Sequence, residues 1–156
     1  TGMTILNLDG NYHNNQLSNL VTTCPICAQC QFLETVGQVG QGDGVLIHCP
    51  DLSQNELNGL CHVLFCAMTY SQSYKQQSES IYQTFKLRSK LVEKRLGANC
   101  SQPKHFSQML IDTPLKERDA VSISAVQDMR LLPLFESFKD HISQWGHGAI
   151  DRLAGR

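Results

Sequence analysis

Leu20-Val21-Thr22-Thr23-Cys24-Pro25-Ile26-Cys27-Ala28-Gln29-Cys30 is the stretch on which the reading of this chain turns. It opens as a short extended piece, Leu20 to Thr23, and runs into two cysteines separated by Pro-Ile. A chain that turns over two residues between cysteines can bring both sulfurs to about 2.3 Å from one zinc ion, but a structural zinc takes four ligands. Cys24 and Cys27 are therefore half of a metal site, or else two small buried apolar residues. Cys30 extends the motif as a candidate third ligand, and Cys49, with His48 beside it, arrives on a nearby predicted strand. Cys61 and Cys66 stand five apart on a predicted helix, point to different sides and read as core fillers.

Upstream of the knuckle, Met3 to Leu8 is an apolar run ending at Asp9-Gly10, which predicts a strand entering a turn. Asn11 to Ser18 is polar and loop-like. Downstream, Gln29 to Glu34 has room for one or two helical turns. Gly37, Gly40, Gly42 and Gly44 mark a loop or hairpin tip before a strand at Val45 to His48. Residues 1–49 are thus expected to form a small β-rich head. Then the period changes. Ser53-Gln54-Asn55-Glu56 has the form of a capping box, and Leu57, Leu60, Cys61, Leu64 and Met68 follow as the stripe of a core-facing helix. Ile81, Phe85, Arg88, Val92 and Leu96 continue it, with Leu91 widening the face and Gly97 placed to end the helix. Pro103 introduces Phe106, Met109 and Leu110. Phe135, Phe138, Ile142 and Trp145 define a last helix, whose extension towards Leu153 must cross Gly146 and Gly148 at ~1 kcal/mol each relative to alanine. Residues 50–156 are read as a helical region packed with the head as one domain, and the fold class as α+β.

Composition narrows the function. At 156 residues and 41% apolar, the chain suits one domain with a core of its own. Thirteen basic against fourteen acidic residues give a net charge of -1, without the basic excess on which phosphate binding depends. The basic residues gather at Lys86 to Arg95 and Lys116 to Arg130, interleaved with Glu93, Glu117, Asp119 and Asp128, the pattern of a solvated helix face. No apolar run is long enough to cross a bilayer, so direct membrane insertion is not expected. Seven cysteines with no export signal point to a cytoplasmic, reducing setting, with one thiolate metal site and several buried thiols. The opening Thr1 in place of Met suggests a piece of a longer protein. Tyr70, Tyr74, Tyr82 and Trp145 are the aromatic candidates for a partner surface, against the ordinary reading of each as core packing.

Leu8-Asp9-Gly10, then Asn19-Leu20-Val21, then Cys24-x-x-Cys27 resembles the ββα-metal core of HNH endonucleases. That chemistry needs a histidine to activate water and a divalent cation held by carboxylate and imidazole. Asp9 and Asn19 are retained, but Gly10 stands where the base would be and Ala28 where the last histidine should follow the cysteines. His13, the imidazole nearby, lies in a polar loop. The resemblance implies the fold without its catalytic set; the alternative is a metal-dependent HNH nuclease with displaced catalytic residues.

A longer string is more specific. Asn7-Leu-Asp-Gly-Asn-Tyr-His-Asn-Asn-Gln-Leu-Ser-Asn-Leu-Val-Thr-Thr-Cys-Pro-Ile-Cys-Ala-Gln-Cys30 is similar to the IcmJ (DotN) family of the Dot/Icm type IVB secretion system, as are Leu57 to Cys66, Ile81 to Lys86 and Arg130 to Pro133. The resemblance implies a small degenerate HNH-like zinc-knuckle head without nuclease activity, followed by a mostly helical body. It implies a cytoplasmic adaptor of the coupling complex that binds the C-terminal tail of the VirD4-like coupling ATPase, DotL. Through that ATPase it would reach the inner membrane and, indirectly, the effector-chaperone adaptors of the same complex. The family also carries a Cys-x-x-Cys pair upstream of the segment matching Thr1, which would complete a structural zinc site with Cys24 and Cys27.

Overall fold

Two short strands, β1 (Thr4–Asn7) and β2 (Leu20–Thr23), pair antiparallel with Thr4 opposite Thr23 and Asn7 opposite Leu20. The structure, a computed structural model, describes residues 2–38, 43–114 and 126–153. The loop joining the strands is held from inside. Asn19 Nδ2 donates to Asp9 Oδ1 (2.9 Å) and to the Asn14 carbonyl (2.8 Å), and the Leu8 N–H donates to the Asn19 carbonyl (2.8 Å). Asn and Asp side chains that bond nearby backbone in this way fix a turn without regular secondary structure. β2 leads into the short helix α1 (Pro25–Ala28), with Cys24 as N-cap and Pro25 in the first turn, where its missing N–H costs nothing. The helical turns expected after it are two 3-10 turns, Gln29–Gln31 and Leu33–Thr35.

The second sheet joins distant parts of the chain. β3 (Gly44–His48) pairs antiparallel with β4 (Met129–Pro133), Leu46 opposite Leu131. Both of its outer edges are closed. On one side the Gln54 side-chain amide mimics a peptide: its Oε1 accepts the Leu131 N–H and its Nε2 donates to the Leu131 carbonyl, both at 2.8 Å. On the other, the Leu46 N–H donates to the Ser101 carbonyl at 2.7 Å. Edges covered in this way offer no template for another strand. Ile47 and Leu132 bury into a core with Ile26, Leu57, Phe65, Phe138 and Ile142, while Leu46 and Leu131 bury into a second with Val36, Val92 and Phe106. The sheet is covered on both faces, which is why Arg130-Leu-Leu-Pro133 shows no alternation to mark it as a strand.

Helices build the rest: α2 (Gln54–Tyr70), α3 (Lys75–Leu87), α4 (Ser89–Leu96), α5 (Pro103–Asp112) and α6 (Phe135–Leu153). The capping box at Ser53 and Glu56 forms in both directions, and Leu57, Cys61, Leu64 and Met68 are buried. The run from Ile81 to Leu96 is not one helix. It breaks at Arg88, whose carbonyl accepts the His48 N–H (3.5 Å), and α4 then turns onto β3. Leu91, expected to widen the apolar face, is exposed. Gly97 ends α4 at φ +108°, a conformation that favours glycine. Much of the charged stretch after Lys116 and the centre of the glycine-rich loop lie outside the described residues.

The last helix does cross both glycines: α6 runs through Gly146 and Gly148 to Leu153. Gly146 sits directly against the Tyr70 ring, whose hydroxyl donates to the Ile142 and Ser143 carbonyls (3.2 and 3.1 Å). A Cβ there would collide with the ring, so the helix carries glycine for packing against α2 and not for flexibility. Gly59, by contrast, has nothing near its Cβ position. Two glycine-to-alanine changes should therefore act with opposite sign. Gly59→Ala should stabilise by about 0.5–1 kcal/mol through helix propensity, and Gly146→Ala should destabilise by about 1–3 kcal/mol through overpacking. Urea unfolding of both variants checks this, and stabilisation in both would remove the packing role of Gly146.

Candidate functional site at the cysteine knuckle

Cys24 lies at the joint between β2 and α1, and its carbonyl accepts the N–H groups of Cys27 (3.1 Å) and Ala28 (2.9 Å). This closed turn sets Cys27 one helical turn beyond Cys24. A polar row on α2 faces the knuckle. Gln54, Asn58 and His62 recur every four residues, so they share one side of the helix. Asn58 is 2% exposed; its Nδ2 donates towards Cys27 Sγ (3.4 Å) and Cys30 Sγ (3.6 Å), and its Oδ1 accepts from Gln54 Nε2 (2.9 Å). One turn on, His62 Nε2 stands 3.3 Å from Cys24 Sγ, the donor being set by the imidazole tautomer. The His62 ring packs against Trp145 of α6, centroids 4.6 Å apart.

Burial decides the electrostatics. It raises the Cys24 thiol, pushes Cys30 up to about 11, and lowers His62. In each case burial disfavours the charged form, so a cation beside the sulfurs would favour a thiolate here.

The structure brings together Cys24, Cys27 and Cys30, with Asn58 bridging the last two. Cys49 and His48 have other polar partners: Cys49 Sγ accepts from Arg88 Nη1 (3.5 Å), and His48 faces Asp128 (4.0 Å). Cys61 is fully buried in the core. Among the described residues, no group of three or more His, Cys, Asp or Glu side chains is placed to hold a metal ion. By type, Cys24 and Cys27 fit a soft cation such as zinc, as two of the four donors it takes. Sequence reading missed Asn58 and His62. Their signal was the four-residue spacing Gln54, Asn58, His62, a polar row beside the apolar stripe.

In the hairpin, the Asp9 carboxylate accepts from Asn14 Nδ2 (2.7 Å), the Asn11 N–H (2.9 Å) and Asn19 Nδ2 (2.9 Å). These bonds, Asn14 first, hold its pKa below the ordinary 3.8. Gly10 follows at φ +69°, Ala28 is buried, and His13 is exposed. Between this hairpin and the second sheet lies a cleft of about 780 Å3 lined by Leu6, Val21, Cys27, Leu46, Phe106 and Met129, among others. Of the aromatic candidates, Tyr82 is buried, its hydroxyl donating to the Pro133 carbonyl (3.0 Å), and Trp145 packs on His62. Tyr74 is exposed.

No protein-family model matches the chain. Over 150 residues, 96% of its length, it is 46% identical to the type 4 apparatus protein DotN of Legionella pneumophila, and the match spans 70% of that protein. With identity of that level along almost the whole chain, this protein belongs to the DotN family.

Proposed function

We propose that this chain is a non-catalytic subunit of a type IV secretion apparatus, an adaptor that binds the C-terminal tail of the VirD4-like coupling ATPase, DotL. The observation that carries the reading is the 46% identity, along 96% of the chain, to a protein named as a type 4 apparatus component. Tail binding and indirect contact with effector-chaperone adaptors follow from the resemblance to that family. Among the described residues no helix is long and apolar enough to cross a membrane, which suits recruitment to the inner membrane through the ATPase.

The head is HNH-like in this reading. Support comes from the order β1, β2, α1 with the Cys-x-x-Cys turn at the start of α1. Cys24 and Cys27 are two ligands of a structural zinc, and the upstream cysteine pair of the family supplies the others. Zinc there would tie the hairpin to the helix and contribute folding energy. Nuclease chemistry finds no support at this head. The Asp9 carboxylate accepts from three hydrogen-bond donors, Gly10 has no side chain to serve as a base, and the Ala28 methyl cannot ligate a metal. Nor is Arg130, beside the cleft, free for phosphate: its guanidinium donates to the carbonyls of Leu52 (2.6 Å), Gln127 (2.9 Å) and Met129 (2.7 Å).

Isothermal titration with a peptide of the ATPase tail tests the adaptor role. Binding is expected at low and high salt with similar affinity, because an interface with an apolar centre, unlike one built on phosphate contacts, is little screened by salt. Absence of binding at both salts overturns the reading. Plasmid incubated with the protein and divalent metal should stay uncut; nicking abolished by Asp9→Ala would establish a nuclease instead. The pH response of the head has a definite sign. Asp9 is held below 3.8 in the folded state, so its contribution is complete above that value and is lost as pH falls through the lower folded pKa. The side-chain amide resonances of Asn14 and Asn19 should hold their positions down to about pH 4 and move together below it. Movement centred above the ordinary carboxylate value would show that Asp9 does not anchor the loop.

A further inference from the structure

We infer that Asn58 and His62 are the positioning donors of the knuckle's metal centre: Asn58 Nδ2–H to the Cys27 sulfur and His62 Nε2–H to the Cys24 sulfur. The inference rests on the zinc reading above and adds to it two residues that are not ligands. Two N–H groups one turn apart on α2 meet the two sulfurs of one Cys-x-x-Cys pair, at 3.4 and 3.3 Å. A neutral thiol is a weak acceptor, whereas a thiolate is a strong one. Donors aimed at both sulfurs therefore match the charged, metal-bound state, and such donors orient ligating groups and trim their charge.

The orientation of the Asn58 amide does not depend on assigning its oxygen and nitrogen from its own contacts. The Leu131 N–H can only donate, so the Gln54 oxygen must face it. Gln54 then presents its Nε2 to Asn58, which must answer with Oδ1. The Asn58 Nδ2 is left facing Cys27 and Cys30. A backbone N–H in β4 thus sets the direction of a donor at the knuckle two side chains away. Packing against Trp145 limits rotation of the His62 ring and keeps Nε2 on Cys24.

Cobalt(II) replacing zinc in the full-length protein makes the centre visible, because tetrahedral cobalt–thiolate gives ligand-field bands in the visible and sulfur-to-metal bands in the near ultraviolet. The variants are Asn58→Leu, His62→Phe, which keeps an aromatic ring on Trp145, and His62→Gln, which restores an N–H donor. Competition with a chelator reads affinity, and far-ultraviolet circular dichroism of the metal-free proteins checks folding. We expect Asn58→Leu and His62→Phe each to lose about 10- to 100-fold in cobalt affinity. The sulfur-to-metal bands should shift while the ligand-field pattern stays that of the parent, and His62→Gln should recover most of the loss. Should Asn58→Leu fail to fold, the His62 pair alone decides. Parental affinity in the folded variants overturns the inference and leaves the zinc reading standing. A ligand-field pattern changed by His62→Phe makes His62 a ligand and also overturns it. A parent protein with no cobalt–thiolate bands removes the zinc reading itself, and the inference with it.

Discussion

The buried side-chain amide of Asn58 is the constraint through which the separate parts of this fold are held in register. At 2% exposure it is shut away from water, and an unmade hydrogen bond at such a group costs about 1–3 kcal/mol. Its oxygen is satisfied by Gln54, which in turn closes the free edge of β4, and its nitrogen is satisfied by the knuckle sulfurs. Three elements far apart in the chain, β4, α2 and α1, therefore share one polar chain of contacts. Apolar packing alone would tolerate sliding of α2 along the sheet by a fraction of a turn. The amide pair would not, because both ends of each amide are used.

The sheet of β3 and β4 makes this arrangement possible. Among the described residues it has two strands, and an isolated pair of strands is marginal in water. Here Gln54 and Ser101 close its edges, α4 packs against β3, and its two faces feed two separate cores. Tyr82 extends the same logic, donating to the Pro133 carbonyl at the end of β4 and accepting the Phe135 N–H at the start of α6. The polar contacts cluster where chain ends would otherwise leave peptide groups unpaired.

What could be read from the sequence was whatever is specified locally. The capping box at Ser53, the apolar stripe of α2, Pro103 at the start of α5 and Gly97 at the end of α4 all stand where their residue types predict, because each depends on neighbours within one turn. The break at Arg88 was hidden, since the stripe from Ile81 to Leu96 keeps helical spacing across it and a tertiary contact with His48 decides the matter. β4 was hidden for the opposite reason: a strand buried on both faces has no period to detect. Gly146 misled because propensity counts a glycine as weakness, while the Tyr70 ring requires one. At the site, Cys24 and Cys27 were legible from spacing alone. Asn58 and His62 were not, because buried polar residues announce themselves only through partners that lie about thirty to forty residues away in the chain.

The hairpin gives a catalytic-looking residue a structural task. Asp9 and Asn19, which resemble residues of an HNH hairpin, both serve the hydrogen bonding of their own loop. Asp9 accepts three hydrogen bonds that organise the loop, and Asn19 donates two and accepts one from the Asp9 N–H. A carboxylate so engaged is held ionised, but it has little capacity left to orient water or a cation. The same bonds hold the loop rigid at the edge of the cleft. In the proposed reading that rigidity is the useful remainder. A partner segment binding beside a loop already ordered by its own side chains loses only its own freedom on docking, so more of the contact energy appears as affinity. Asp9 and Asn19, beside a Gly10 and an Ala28 that carry no imidazole, are on that reading residues that shape the platform.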